Sequence, residues 1–220
     1  MEAGIVLLDN GHPNLEKSLE SLINQTVRVP ITFVGGPKTN YEVAESMLSD
    51  KDKIIRNVKG IWNARVIGIC KTNAKNIISC DSDTVYFPDY VENAIKALNK
   101  YYWIKAGTLI LKKKADNVID RIRQIFEVNF MSLSFNPLVH DHTLAFRRES
   151  FLKLLRYNRY NPLKWILMDR CDTSSVVIWN LVPVKKVKEM KAIVEYPTYY
   201  TRIISSGKVW KVLRIFEKEG

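Results

Sequence analysis

The residues best suited to chemistry in this 220-residue chain are Asp81-Ser82-Asp83. They follow directly on the apolar run Asn76-Ile77-Ile78-Ser79-Cys80, which reads as a buried strand. Two carboxylates at i and i+2 on an irregular loop can share a hard divalent cation, or one can take the cation while the other holds a ribose. Mg2+ and its relatives need only one or two carboxylates, completing their shell with water and phosphate oxygens. The competing reading is an Asx-rich turn that ends a strand. Position favours chemistry, because ligands of open parallel α/β sheets sit at the carboxyl ends of the strands.

The elements needed to hold such a loop are legible. Ile5 to Leu8 forms a first buried strand that stops at Asp9-Asn10-Gly11, and a helix begins at about Asn14 with Leu15, Leu19, Leu22 and Ile23 on one face. Pro30 to Val34 is a second strand, ended by Gly35-Gly36-Pro37. Helices follow around Tyr41 to Leu48 and Ile61 to Lys71, and beyond Pro88 on Val91, Ala94, Ile95 and Leu98. This alternation predicts a single α/β domain with a mostly parallel central sheet and helices on both faces. Farther on, the pattern predicts a strand over Trp103 to Leu111 and a helix over Ala115 to Val128. Asn129 to Asp141 reads as a loop, and Thr143 to Phe146 as a short strand leading to Arg147-Arg148 and a helix. A helix over Asp172 to Asn180 and a basic strand over Val182 to Tyr196 complete the series.

Composition narrows the partners. The net charge of +11 favours anionic ligands: nucleotide diphosphates, lipid phosphates or nucleic acid. Nucleic acid is disfavoured, since Asn158-Arg159-Tyr160 and Lys208-Val209-Trp210-Lys211 are the nearest approach to a binding motif. Cys70, Cys80 and Cys171 are widely spaced and odd in number, which predicts buried free thiols. No secretory leader is evident, which predicts a cytoplasmic location. Gly207 to Glu219 sets Val209, Leu213 and Phe216 against Lys208, Lys211, Arg214 and Lys218. That suits either a surface helix or one lying on the anionic inner face of a membrane.

Three segments resemble family 2 glycosyltransferases. Residues 5–26, with Ser21-Leu22-Ile23-Asn24-Gln25-Thr26 at their end, are similar to that family's opening strand, turn and helix. Asn57 to Gly68, with Gly60, Ala64-Arg65 and Gly68, is similar to the segment before its acidic loop. Ile77 to Tyr90 matches the loop itself. The resemblance implies a GT-A (Rossmann-like) fold over residues 1–220, with a nucleotide-sugar half (1–100) and an acceptor half (101–220). It implies transfer of a sugar from a UDP- or GDP-sugar to a glycan, lipid-linked or protein hydroxyl. Asp83 would ligate Mn2+ or Mg2+, with Asp81 and Ser82 near the metal and ribose. Arg65 would contact the nucleotide, unless it is simply a solvated helix residue.

The family's acidic pair after the second strand is replaced here by Gly35-Gly36-Pro37, so base recognition falls to other groups, with Asp9 and Asn10 candidates by position. The resemblance also implies inversion, with a carboxylate base beyond a Phe-Arg-Arg stretch. Phe146-Arg147-Arg148 is followed by Asp169-Arg170-Cys171-Asp172, which makes Asp172 the expected base and Asp169 the second candidate. Asp172 could instead cap the helix that follows. His140 and His142 flank Asp141 without a third ligand at metal spacing, and they and His12 stay unassigned. A nucleotidyltransferase would place a basic, Gly-rich loop after the first strand, and Asp9-Asn10-Gly11-His12-Pro13 lacks it. A catalytically degenerate GT-A protein is the further alternative.

Overall fold

The computed structural model describes residues 2–111, 143–155 and 184–194. The predicted helices over 115–128, 172–180 and 207–219 lie outside these residues, as do Asp169, Asp172, His140, His142 and Cys171.

The described chain runs β1 (Ala3–Asp9), α1 (Leu15–Ile23), β2 (Ile31–Gly35), α2 (Tyr41–Met47), β3 (Lys53–Ile55), α3 (Ile61–Lys71), β4 (Asn76–Asp81), β5 (Thr84–Tyr86), α4 (Tyr90–Leu98), β6 (Trp103–Leu111), β7 (Leu144–Arg147), α5 (Arg148–Leu155) and β8 (Lys185–Val194). The strands form one eight-stranded sheet in the order β3-β2-β1-β4-β7-β6-β8-β5. Four of its seven pairings are parallel; β7 against β4 and β6, and β5 against β8, are antiparallel. Sequence alone missed the two three-residue strands. β3 separates what otherwise reads as two successive helices, and β5 turns the chain sharply after the acidic loop.

Helices cover both faces, which explains why the strands are apolar runs rather than alternations. Ile5 and Leu7 of β1 pack with Leu15, Leu19 and Leu22 of α1 and with Val91 and Ala94 of α4. Val6 and Leu8 face the other way, into a cluster with Ala64 and Ile69 of α3 and Phe151 of α5. α3 lies close on the sheet because Gly68 has no side chain: a Cβ there would come within 2.5 Å of Val6 Cγ1 and 3.1 Å of Val34 Cγ2. Alanine is ordinarily the better helix residue by about 1 kcal/mol. Overpacking two fully buried valines outweighs that gain. Gly68→Ala is therefore expected to destabilise the fold by about 1–3 kcal/mol, read as a lower urea midpoint; an unchanged or raised midpoint would contradict this packing.

Arg147 and Arg148, neighbours at the β7–α5 junction, fasten helices on opposite faces. Arg147 donates to Leu98 O (2.9 Å) and Asn99 O (3.2 Å) at the end of α4, and Arg148 to Ile69 O (3.0 Å) and Cys70 O (3.2 Å) at the end of α3. Each guanidinium thus satisfies carbonyls that a helix terminus leaves open, where cations are also favoured by the helix dipole. Cys70 and Cys80 are free thiols; Cys80 is buried as expected, whereas Cys70, at the end of α3, is exposed. Among the described residues no helix is long and apolar enough to cross a membrane.

Candidate active site

Register brings the predicted site together. Leu8 of β1 lies beside Asp81 of β4, and Asp9 beside Gly35 of β2, so Asp9-Asn10, Gly35-Gly36 and Asp81-Ser82-Asp83 emerge side by side from three parallel strands. All but Gly35 border a pocket of about 500 Å³, which is also lined by Val58-Lys59-Gly60 just before α3.

Asp9 organises the loops more than it faces the pocket. It is 7% exposed, and its carboxylate accepts hydrogen bonds from Gly11 N–H (2.8 Å), His12 N–H (3.0 Å) and the Ser82 hydroxyl (2.6 Å). An Asx-type turn is thereby tied to the acidic loop. Gly11, at φ +84, is required at that turn, because any Cβ would also strike the Lys38 carbonyl. His12 Nδ1 accepts from Asn14 N–H (3.2 Å), so a neutral His12 carries its proton on Nε2. Asn14 stands at the N-cap of α1 without a side-chain capping bond.

Arg65 is wholly buried, which overturns its reading as a solvated helix residue. It is not among the residues that line the pocket. Its guanidinium bonds Ser79 Oγ and the Asp81 carboxylate (3.1 and 3.4 Å), orienting that carboxylate and compensating its charge from behind. Asp83 is held differently. Its carboxylate accepts from the Thr84 hydroxyl (2.8 Å), and the half-buried residue borders the pocket.

A neutral platform supports the loop. Tyr86 accepts from Asp81 N–H (3.0 Å) and sits against Cys80 and Tyr90. Burial pushes the Cys80 thiol and both tyrosine hydroxyls well above their ordinary ranges, so all three stay protonated. The polar side of α1 supplies the rest. Ser18 donates to Asp81 O (3.3 Å), and Ser21 Oγ accepts from Tyr86 N–H (3.1 Å). Gln25 donates to Phe87 O (2.8 Å) and accepts from Val91 N–H (2.9 Å). Thr26 N–H reaches Pro88 O at 2.8 Å. The Ser-Leu-x-x-Gln-Thr sequence is therefore the scaffold beneath the acidic loop. Ser18 and Ser21 lie on one face of α1 and Gln25 just beyond its end, a polar pattern that an apolar stripe does not reveal.

An α/β sheet with a carboxylate loop at the carboxyl end of β4, and helices on both faces, is the GT-A arrangement of nucleotide-sugar enzymes. The model of Glycosyl transferase family 2 matches residues 5–176, well over half of the chain, and the protein belongs to that family. No curated protein matches the sequence. The matched span reaches past Asp169 and Asp172.

Proposed function

We propose that the protein is an inverting, divalent-metal-dependent glycosyltransferase that takes its donor, a UDP- or GDP-sugar, in the pocket between β1, β2, β4 and α3. The observation that carries this reading is the division of labour between the two loop carboxylates. Asp81 is ion-paired with Arg65, whereas Asp83 borders the pocket with its carboxylate bonded, among the described residues, only by the Thr84 hydroxyl. Among the described residues no group of three or more His, Cys, Asp or Glu side chains could hold a metal. The donor set therefore suits Mn2+ or Mg2+ shared with a diphosphate rather than a resident ion caged by protein. Asp83 would hold the ion, with Asp81 beside it. When bound, the cation supplies Lewis-acid stabilisation of charge on the departing diphosphate.

The chain's own residues do the remaining work. Ser82 and Asp9 brace the loop, Arg65 fixes the Asp81 rotamer, and Tyr86 with Ser18 holds the Asp81 backbone. Asp172 takes the proton from the acceptor hydroxyl as it attacks the anomeric carbon, and Asp169 is the second candidate for that role. The acceptor is a glycan, lipid-linked or protein hydroxyl, reached on the cytoplasmic side or at an anionic membrane surface.

Hydrolysis or transfer of a UDP-sugar with Mn2+ tests the reading. Asp172→Asn should lower kcat by about 10²–10⁴-fold, with the UDP dissociation constant held within about twofold, or 0.4 kcal/mol. The same loss in Asp169→Asn, with Asp172→Asn near wild type, would move the base to Asp169. Metal-independent turnover would sink the mechanism.

A further inference from the structure

Two glycines stand at the carboxyl end of β2, Gly36 at the pocket and Gly35 before it, yet the space beside both is filled. A Cβ on Gly35 would come within 2.6 Å of the Tyr41 ring, and one on Gly36 would overlap Oδ1 of Asn10. Tyr41 is fully engaged, donating to Gly36 O (3.0 Å) and accepting from Asn57 N–H (2.7 Å). Asn10 differs. It is exposed, it borders the pocket, and no hydrogen bond engages its carboxamide among the described residues.

The pocket is also polarised. Asp81 and Asp83 stand at one end, where a cation and diphosphate would sit. On the β2 side, where Val58 N–H bonds Gly35 O, the lining residues are Gly36, Pro37, Lys38, Val58 and Lys59. A nucleotide anchored by its diphosphate beside Asp81 and Asp83 would extend its base along the pocket toward the β2 side. Lys38 and Lys59 only donate hydrogen bonds, so neither can pair with an imide N–H.

Resting on the donor-site reading above, we propose that the Asn10 carboxamide reads the edge of the donor's base, and that it admits cytosine about as well as uracil. A carboxylate only accepts, so it suits the uracil N3–H and opposes the N3 lone pair of cytosine. A carboxamide presents one donor and one acceptor side by side, and a half-turn about χ2 exchanges them. It complements N3–H with O4 of uracil, and N3 with the N4 amine of cytosine. An amide at Asn10, where a carboxylate would favour uracil, thus relaxes the choice between pyrimidines.

Dissociation constants for UDP and CDP, measured by calorimetry with saturating Mn2+, test this. The wild type should bind the two within about threefold, a difference of about 0.65 kcal/mol. Asn10→Asp, which is isosteric, should raise the preference for UDP by about tenfold or more, as should the relocated acid in Asn10→Gly/Gly36→Asp. A wild type that already prefers UDP by more than about tenfold would overturn the inference. So would a UDP:CDP ratio that Asn10→Asp leaves unchanged while UDP still binds. Failure of both nucleotides to bind would instead refute the donor site itself, and this inference with it.

Discussion

Arg65→Ala is expected to lower the stability of the fold by about 3 kcal/mol, the cost of breaking a buried ion pair by removing one partner. Arg65 is wholly buried, and its loss would leave the buried Ser79 hydroxyl without that donor and the Asp81 carboxylate without its compensating charge. Asp81 keeps 22% of its side chain exposed, so water would take up part of the loss and hold the cost below the upper end of the range for fully buried pairs. Arg65→Lys should recover only part, because one ammonium does not reproduce a planar fork that serves both Ser79 and Asp81. Urea unfolding of the three proteins checks this. An Arg65→Ala midpoint equal to wild type would mean that the pair contributes nothing and that Asp81 needs no support from behind.

The second large effect is catalytic. Asp83→Ala should lower kcat/KM by about 10³-fold, corresponding to about 4 kcal/mol of lost charge stabilisation at the diphosphate. The same substitution should change stability by no more than about 1 kcal/mol, since the carboxylate is half-buried and its bond is to the adjacent Thr84 hydroxyl. The two variants are therefore opposites: Arg65→Ala acts first on the fold, Asp83→Ala on the reaction. An Asp83→Ala protein that unfolds as readily as Arg65→Ala would show that the acidic loop is a structural turn.

The parts of this architecture that sequence makes legible are those governed by local pattern. β1 and β4 are apolar runs that stop abruptly at polar residues, and α1 and α4 carry clear helical spacing, so the acidic loop is legible at a strand end. β3 and β5 could not be read, because three residues have no period of their own and are recruited by β2 and β8. The order of the second half was equally hidden. β8 is legible only as a basic strand, and its place between β6 and β5 is set by long-range pairing. Within the site, residue types were easier to read than their directions. Arg65 bonds Asp81 and Ser79 instead of lining the pocket, and Asp9 borders the pocket while its carboxylate holds Gly11, His12 and Ser82. Only the packing of α3 on the sheet and the register of β1 against β4 determine those directions. Gly35-Gly36 was legible as a departure from the family pattern, but its partners Asn10 and Tyr41 were not.

Calorimetric titration of UDP and GDP into the wild-type protein, with and without Mn2+, tests the central claim most directly. Binding of at least one nucleotide that requires Mn2+ and disappears in the otherwise stable Asp83→Ala protein is the predicted result. Binding of equal strength without metal, or binding that survives in Asp83→Ala, would contradict a donor site built on Asp81-Ser82-Asp83.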